Sequence, residues 1–431
     1  MRASILGTAG IEIGRRGRQL GGILATDGYR GLINRVRTKV ADWIRPRALV
    51  WPVLTEDVIN ADLARPPFAR VRRAEIVDPV LVNWVMSPPG IGSGGHTTIF
   101  RIIGHLEKSG FRNRIYLYDP YGGDLDYYRR IIREFYGFTS GVDDMRGGMA
   151  DADAIVATAW PSAYPVFNAR SAGKRFYFVQ DFEPFFHPAG THGLLAENTY
   201  RMNFHGITAG RWLSDKLSRD FGMAADFFPF GCDTGRYRRD AGSVRSGVAF
   251  YARLGTPRRG VELGLLALEL FSRRHPEVDL HLFGEDLGRL PFRHIAHGPT
   301  VPARLNEIYN RCAAGLCLSL TNVSLVPYEM LACGCIPVVN DAPHNRMVLD
   351  NPYVQYAAAT PHALVAALEA VLCRPDLDTV SANGAASVGS VSWESAGSAV
   401  AAILRRALRA PAADEARPPG RSQPTRTATG S

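Results

Sequence analysis

No apolar run in the sequence reaches the ~18 residues that a helix needs to cross a bilayer. The start of the chain also lacks the apolar stretch of a secretory leader. Cysteine is scarce. Cys232, Cys312, Cys317, Cys333, Cys335 and Cys373 are the six, none in a Cys-x-x-Cys pair. A zinc site or disulfide framework is therefore not expected, and a reducing cytoplasm is. Interleaved basic and aromatic runs are missing from the body, which argues against a nucleic-acid track. Glycine (43) and proline (28) stay near ordinary usage, so the chain is neither fibrous nor wholly disordered. What is present is 431 residues with 46% hydrophobic content, too much for one ordinary core and suited to two domains.

The net charge of +9 is uneven. Residues 1–75 hold 14 Lys/Arg against 7 Asp/Glu, so the rest is nearly neutral. A basic segment on a neutral body points to an anionic surface. Within it, residues 30–47 put Leu32, Ile33, Val36, Val40, Trp43 and Ile44 on one helical stripe. Arg35, Arg37, Lys39, Arg45 and Arg47 lie around it. Such a helix can lie on an anionic membrane, or pack its stripe on the body. Residues 410–431, rich in Pro, Ala, Arg, Ser and Thr, are expected to be disordered.

From residue 81 onward, short apolar runs alternate with helix-period segments. Strands are expected at 81–86, 114–118, 154–158, 175–180, 206–209 and 225–228, with helices at 97–106, 127–136, 163–170 and 211–221. The pattern restarts with strands at 248–252, 280–283, 316–320 and 336–340 and helices at 261–274, 302–311, 327–332 and 361–372. Such alternation gives parallel sheets with right-handed crossovers. The fold class is α/β: two doubly wound, Rossmann-like domains, 79–231 and 232–391, facing a central cleft. Ligands in such sheets bind at the carboxyl ends of the strands.

Four segments fall at those ends. After the first strand, Ser87–His96 carries Gly90, Gly92, Gly94 and Gly95. Four glycines in six positions exceed what a tight turn needs and let a ligand approach the backbone and the next helix N-terminus. The spacing is not GxGxxG, and no acidic residue stands where a dinucleotide ribose needs one, which argues against a nicotinamide enzyme. Second, Asp181 and Glu183 follow a strand. Two residues apart in an extended segment, they would share a face, where either can accept an acceptor's proton. Asp181 also suits plain turn chemistry. Third, Arg253, Arg258 and Arg259 lie between a strand and a helix, where guanidinium groups can neutralise a diphosphate leaving group. Fourth, Glu329 opens a short apolar helix. Its carboxylate can take both hydroxyls of a ribose, or complement the helix dipole. Asp151-Ala-Asp153 reads as a DxD metal motif but opens a strand, away from the ligand edge.

In order, these motifs resemble the GT-B glycosyltransferases of the family 4 type. The segment 230–237 is similar to the interdomain "NGVDTxxF" segment, and Ala252-Arg-Leu with Arg259-Gly260 to the "GRLxxxKG" phosphate segment. His297-Gly298 is similar to the "G" loop, and 329–339 to the "EAMACGxPVV" helix. In the first half, Asn83-Trp-Val, the Gly92–Ile103 stretch and Tyr177–Pro184 resemble the WsaF-type rhamnosyltransferases of bacterial surface glycans. The resemblance covers roughly residues 80–400.

That resemblance implies a nucleotide-sugar donor, dTDP-L-rhamnose or another dTDP-linked deoxysugar, and a surface polysaccharide or lipid-linked glycan as acceptor. It implies a donor domain at 232–391, an acceptor domain at 79–231, and a last helix at 392–409 crossing back to the first domain. Arg253 together with Arg259 (or Arg258) would hold the diphosphate and Glu329 the ribose. Phe283, Gly284 and Gly298 would border the base. The acceptor would lie near the glycine loop, His96, Asp181 and Glu183, the candidate catalytic residues. No metal or other cofactor is expected, and residues 1–78 would serve as a basic extension able to hold the enzyme peripherally on the inner membrane face. One position departs from the family: Thr321 stands where a glutamate commonly contacts the donor sugar. This leaves two other readings open, a non-catalytic glycan-binding or assembly subunit and a nucleotide-sugar 2-epimerase.

Overall fold

Val80–Met86 (β1) is an almost uninterrupted apolar run, buried along nearly its whole length, as a strand covered by helices on both faces must be. It is an interior strand of a seven-stranded sheet in the computed structural model, which describes Val40, residues 51–67 and residues 78–409. The expected basic helix at 30–47 lies outside the described residues except for Val40, which is helical and exposed; the tail at 410–431 lies outside them entirely. The chain divides into two units, Met1–Pro52 and Val53–Ser431, and the second carries both sheets.

In the second unit a short helix α1 (Thr55–Ile59) precedes β1. The first domain continues with α2 (Gly94–Lys108), β2 (Phe111–Leu117), α3 (Leu125–Tyr136), β3 (Val142–Asp144), β4 (Ala154–Ala157) and α4 (Trp160–Asn168). It ends with β5 (Lys174–Val179), α5 (Thr191–Thr199), β6 (His205–Ala209), α6 (Arg211–Phe221) and β7 (Ala225–Phe228). Its strands are all parallel in the order β3-β2-β1-β4-β5-β6-β7. Helix ends follow local chemistry. The Asp124 carboxylate accepts the Asp126 and Tyr127 amides at the start of α3, and Gly137, at φ 72°, closes it in the left-handed region.

The second domain comprises β8 (Gly247–Ala252), α7 (Val261–Arg274), β9 (Leu280–Gly284), β10 (Ile295–Gly298), α8 (Pro302–Arg311) and β11 (Cys312–Cys317). It continues with α9 (Val326–Ala332), β12 (Ile336–Asn340), α10 (Pro343–Leu349), β13 (Gln355–Ala357), α11 (Pro361–Leu372) and α12 (Leu377–Ser387). Its six strands are parallel in the order β10-β9-β8-β11-β12-β13. The last helix, α13 (Trp393–Arg409), returns to the first domain. It buries Ala396, Val400, Ile403, Leu404 and Ala407 in the same core as Val82, Trp84, Ile102 and Leu106.

Most expected elements stand within three residues of their positions. One differs more: the strand expected at 316–320 is β11 at Cys312–Cys317. Helix α8 runs straight into it, and pairing of Ala314 with Ile336 fixes its register. Residues 318–322 are thereby released to form the loop at its carboxyl end. Five of the six cysteines are buried, and all six are free thiols.

Candidate functional site

The carboxyl ends of the two sheets meet around one carboxylate. Asp181 follows β5, is only 7% exposed, and accepts the Phe182 amide at 2.9 Å. Its Oδ2 lies 3.1 Å from Arg258 Nε and 4.0 Å from Arg259 Nη2, both from the other domain. These arginines occupy a 3-10 turn, Pro257–Arg259, between β8 and α7; Gly260 at φ 56° makes the entry into the helix. The turn is tied to the loop after β11, because the Leu320 amide donates to the Arg258 carbonyl at 2.9 Å. The Arg258 guanidinium also lies over the Phe186 ring, 4.2 Å from its centroid. Burial lowers its pKa, and Asp181 partly restores it.

Arg259 is held more rigidly. Its Nη1 donates to Ser319 Oγ at 2.8 Å and to the Asn322 carbonyl at 2.9 Å, leaving Nη2 facing the cleft side. Arg253 does not join this pair. It is half-exposed, its Nε 3.8 Å from Glu285. The same carboxylate accepts the Leu254 amide, so it draws the start of the loop towards β9.

Glu329 lies in the first turn of α9, and burial pushes its carboxyl up to about 7, against the nearby Tyr237 and Tyr309 hydroxyls and Arg101, which favour its charge. The Tyr309 hydroxyl is fully buried beside the Glu329 carboxylate. The Thr321 hydroxyl, on a residue 2% exposed, has no hydrogen-bond partner. A buried hydroxyl normally finds a partner, and a ligand oxygen would satisfy this one.

On the first-domain side, the glycine loop joins β1 to α2. Gly92 has φ +74°, and the space where a Cβ would stand at Gly90, Gly92 and Gly94 is open, while Gly95 approaches the Gln180 amide group. His96 braces the loop: Nε2 meets the Ser87 carbonyl at 3.0 Å and Nδ1 the Ser93 hydroxyl at 2.9 Å. A carbonyl only accepts, so Nε2 carries the proton and Nδ1 accepts from Ser93. Burial lowers the ring's pKa, which keeps it neutral. His96 is thus committed to shaping the loop, with both nitrogens used.

The pairing expected of Asp181 and Glu183 does not occur. The segment is not extended there: Glu183–Phe186 is a 3-10 turn that rotates Glu183 inward. Its Oε2 accepts the Trp160 amide at 2.6 Å at the start of α4, and its Oε1 accepts the Tyr177 hydroxyl at 3.1 Å. Burial drives its pKa up to about 8. Glu183 therefore caps a helix inside the first domain. Phe283 is also corrected. It is buried between Tyr251 and Tyr309, so its ring does not border an open site. Gly284 beside it has a φ of +116°, and a Cβ there would stand 2.6 Å from the Ala252 carbonyl, so the position admits only glycine. Gly298 (φ +60°) meets open space. The Asp151 and Asp153 carboxylates bind the Ala172 and Leu81 amides at the opposite, amino end of β4.

Sequence reasoning passed over Asn322, Ser319, Tyr237 and Tyr309. Tyr237 lies inside the 230–237 motif and Asn322 directly follows Thr321, but nothing in their residue type marks them as contacts between domains or with Glu329.

The comparisons agree with this architecture. Residues 246–369, which hold the second sheet, match the family model described as WsaF, C-terminal domain. The chain is 33% identical over 343 residues to the O-antigen biosynthesis protein RfbC of Myxococcus xanthus, covering 72% of this chain. It spans about a quarter of that relative's length (26%). Among solved structures, sucrose-phosphate synthase from Thermosynechococcus elongatus matches with a TM-score of 0.57 at 14% identity, covering 76% of this chain and 99% of the other. HepE from Anabaena, in complex with UDP and glucose, matches with a TM-score of 0.57 at 14% identity, covering 76% and 100%. The fold is GT-B, and residues 246–369 within it are similar to the C-terminal domain of WsaF.

Proposed function

We propose that the protein is a glycosyltransferase of surface-glycan synthesis that transfers a deoxysugar, L-rhamnose, from a dTDP-linked donor. The observation that carries this reading is the convergence of Arg258 and Arg259 on one carboxylate at the meeting of the two sheets, with Thr321 in the loop that Leu320 and Asn322 tie to those arginines and Glu329 in the first turn of the helix that follows that loop. The donor's diphosphate would take the arginines, its pentose Glu329, and its sugar the Thr321 hydroxyl. The acceptor hydroxyl would enter from the glycine-loop side, near Asp181. Its oxygen bonds the anomeric carbon, the bond from that carbon to the phosphate oxygen breaks, and the nucleoside diphosphate leaves with the electron pair. The acceptor's proton passes to Asp181 or to the departing phosphate. Two guanidinium groups could supply the charge neutralisation that a metal supplies elsewhere. The relative's role in O-antigen biosynthesis supports a glycan acceptor. A lipid-linked acceptor would give the basic segment at 30–47 a purpose on the inner membrane face. Unchanged liposome co-sedimentation after deletion of residues 1–48 would remove that last element.

The test is calorimetric titration of dTDP, UDP and GDP into the wild-type protein and into Glu329→Ala. The expected result is dTDP binding that the substitution weakens by ~1.5–3 kcal/mol, the value of a charge-assisted hydrogen bond. Preference for UDP or GDP removes the rhamnose donor, and binding of none overturns the donor site. Release of dTDP from dTDP-rhamnose on adding an acceptor glycan separates transfer from a 2-epimerase, which leaves the nucleotide attached, and from a subunit that binds without turnover.

A further inference from the structure

Asn322 is completely buried and uses its side chain in both domains. Its Nδ2 donates to the Gln180 carbonyl at 2.9 Å and to the Ala209 carbonyl at 3.0 Å. Those carbonyls lie at the carboxyl ends of β5 and β6, neighbours in the first sheet. Its Oδ1 accepts the following amide, Val323 N, at 2.9 Å, which fixes the side chain's orientation from within its own loop. Its main-chain carbonyl accepts Arg259 Nη1. One residue thus clamps the edge of the first sheet with its side chain and a second-domain arginine with its backbone. Gln180 immediately precedes Asp181, the residue both arginines face.

We propose that Asn322 is the positioning residue through which the seating of the first domain fixes Arg259, so that diphosphate recognition by the second domain depends on closure onto the first. The amide of Asn322 has two hydrogens and the first sheet presents two carbonyl acceptors, so both are satisfied only when the domains are seated. If they part, the loop 318–322 loses its anchor, and Arg259 loses the fixed direction of one of its two supports. Diphosphate binding favours the seated state because the arginines are aligned only there, provided the diphosphate displaces the Asp181 carboxylate from them; seating also brings the glycine loop to the donor. Water is then excluded from the reacting bond before transfer. The phosphate half of this proposal rests on the donor-site reading above; the clamp itself does not.

The decisive substitution is Asn322→Asp. It keeps volume and shape but sets an oxygen against two carbonyl oxygens, so it removes the clamp with a minimal packing change. The full-length variant is first checked for a cooperative thermal transition. Small-angle scattering without ligand should then give a larger radius of gyration than wild type. Affinity for inorganic pyrophosphate should fall about tenfold or more, the consequence of leaving buried polar groups unpaired, whereas affinity for thymidine should stay within about threefold, a difference below the same range. A general loss of structure would lower both. Unchanged scattering and unchanged pyrophosphate affinity overturn the proposal. If wild type itself fails to bind pyrophosphate or dTDP, the donor-site reading falls while the scattering result still decides the clamp. Should Asn322→Asp fail to fold, hydrogen exchange on the wild type with and without pyrophosphate gives the answer. Joint protection of 176–183, 205–212 and 318–323 supports coupling, and protection confined to 253–262 overturns it.

Discussion

Arg258 of the second domain and Asp181 of the first stand 3.1 Å apart at the meeting of the sheets, and the arginine expected to hold a phosphate already holds a carboxylate. Asp181 therefore occupies the electrostatic place of the donor's diphosphate, and an incoming phosphate must compete with it. Replacing Asp181 by Asn removes that competitor without changing shape. The Asp181→Asn protein should bind dTDP more tightly, by ~0.5–1 kcal/mol, the range of a partly screened ion pair, while transfer to an acceptor falls. Equal dTDP affinity in the two proteins, measured by calorimetry, would show that the arginines serve another anion.

Nucleotide affinity should depend on pH through Glu329. Its carboxyl is raised to about 7 because burial disfavours the charge. A carboxylate accepts pentose hydroxyls, whereas the protonated form loses part of that capacity. Affinity for dTDP should therefore decline as pH falls through about 7. Glu329→Gln should flatten this dependence while lowering affinity at pH 8. A wild-type profile that remains level between pH 6 and 8 would mean that the pentose does not use this group.

How much of this was legible in the sequence differs between fold and site. Buried parallel strands such as β1 and helices such as α7 announce themselves because an uninterrupted apolar run and a 3.6-residue period are local signals. β3 and β13 were invisible: each has three residues and sits at a sheet edge, too short to show a period. The arginine turn and Glu329 were found from residue type plus position at a strand end. Glu183 was misread because a two-residue spacing implies a shared face only in extended chain, and Pro184 helps turn the segment into a 3-10 helix. Asn322 was missed because its partners, 142 and 113 residues away, are backbone carbonyls that leave no mark on sequence.

Glu183 supplies a stability prediction with a definite sign. Its pKa is about 8 in the folded chain, against the ordinary 4.5. Between those values the folded state holds a proton that the unfolded state has released. Stability therefore falls as pH rises from about 4.5 to about 8. Glu183→Gln keeps an acceptor for the Trp160 amide and cannot ionise. At pH 8 it should be more stable than wild type by ~1 kcal/mol or more, since one pKa unit is worth about 1.36, and its melting temperature should vary less with pH. A variant that melts lower than wild type at pH 8 would mean that the ionised carboxylate is the form the fold prefers.

The return of α13 to the first domain depends on the absence of a side chain at Gly397. A Cβ there would fall within the His105 ring on α2, so the two helices pack at a distance only glycine permits. On the same face α13 buries Val400, Ile403 and Leu404 in the first-domain core. Gly397→Leu must therefore displace either His105 or the helix. The expected loss is ~1–3 kcal/mol, the range for forcing bulk into a packed core, read as a lowered denaturation midpoint. Ser395→Leu, two residues earlier and exposed, is the control and should change stability by less than ~0.5 kcal/mol. Because α13 is the chain's link from the second domain back to the first, Gly397→Leu should also raise susceptibility to proteolysis near residues 388–393. Equal midpoints for Gly397→Leu and Ser395→Leu would show that the crossing helix is not docked on α2 in solution.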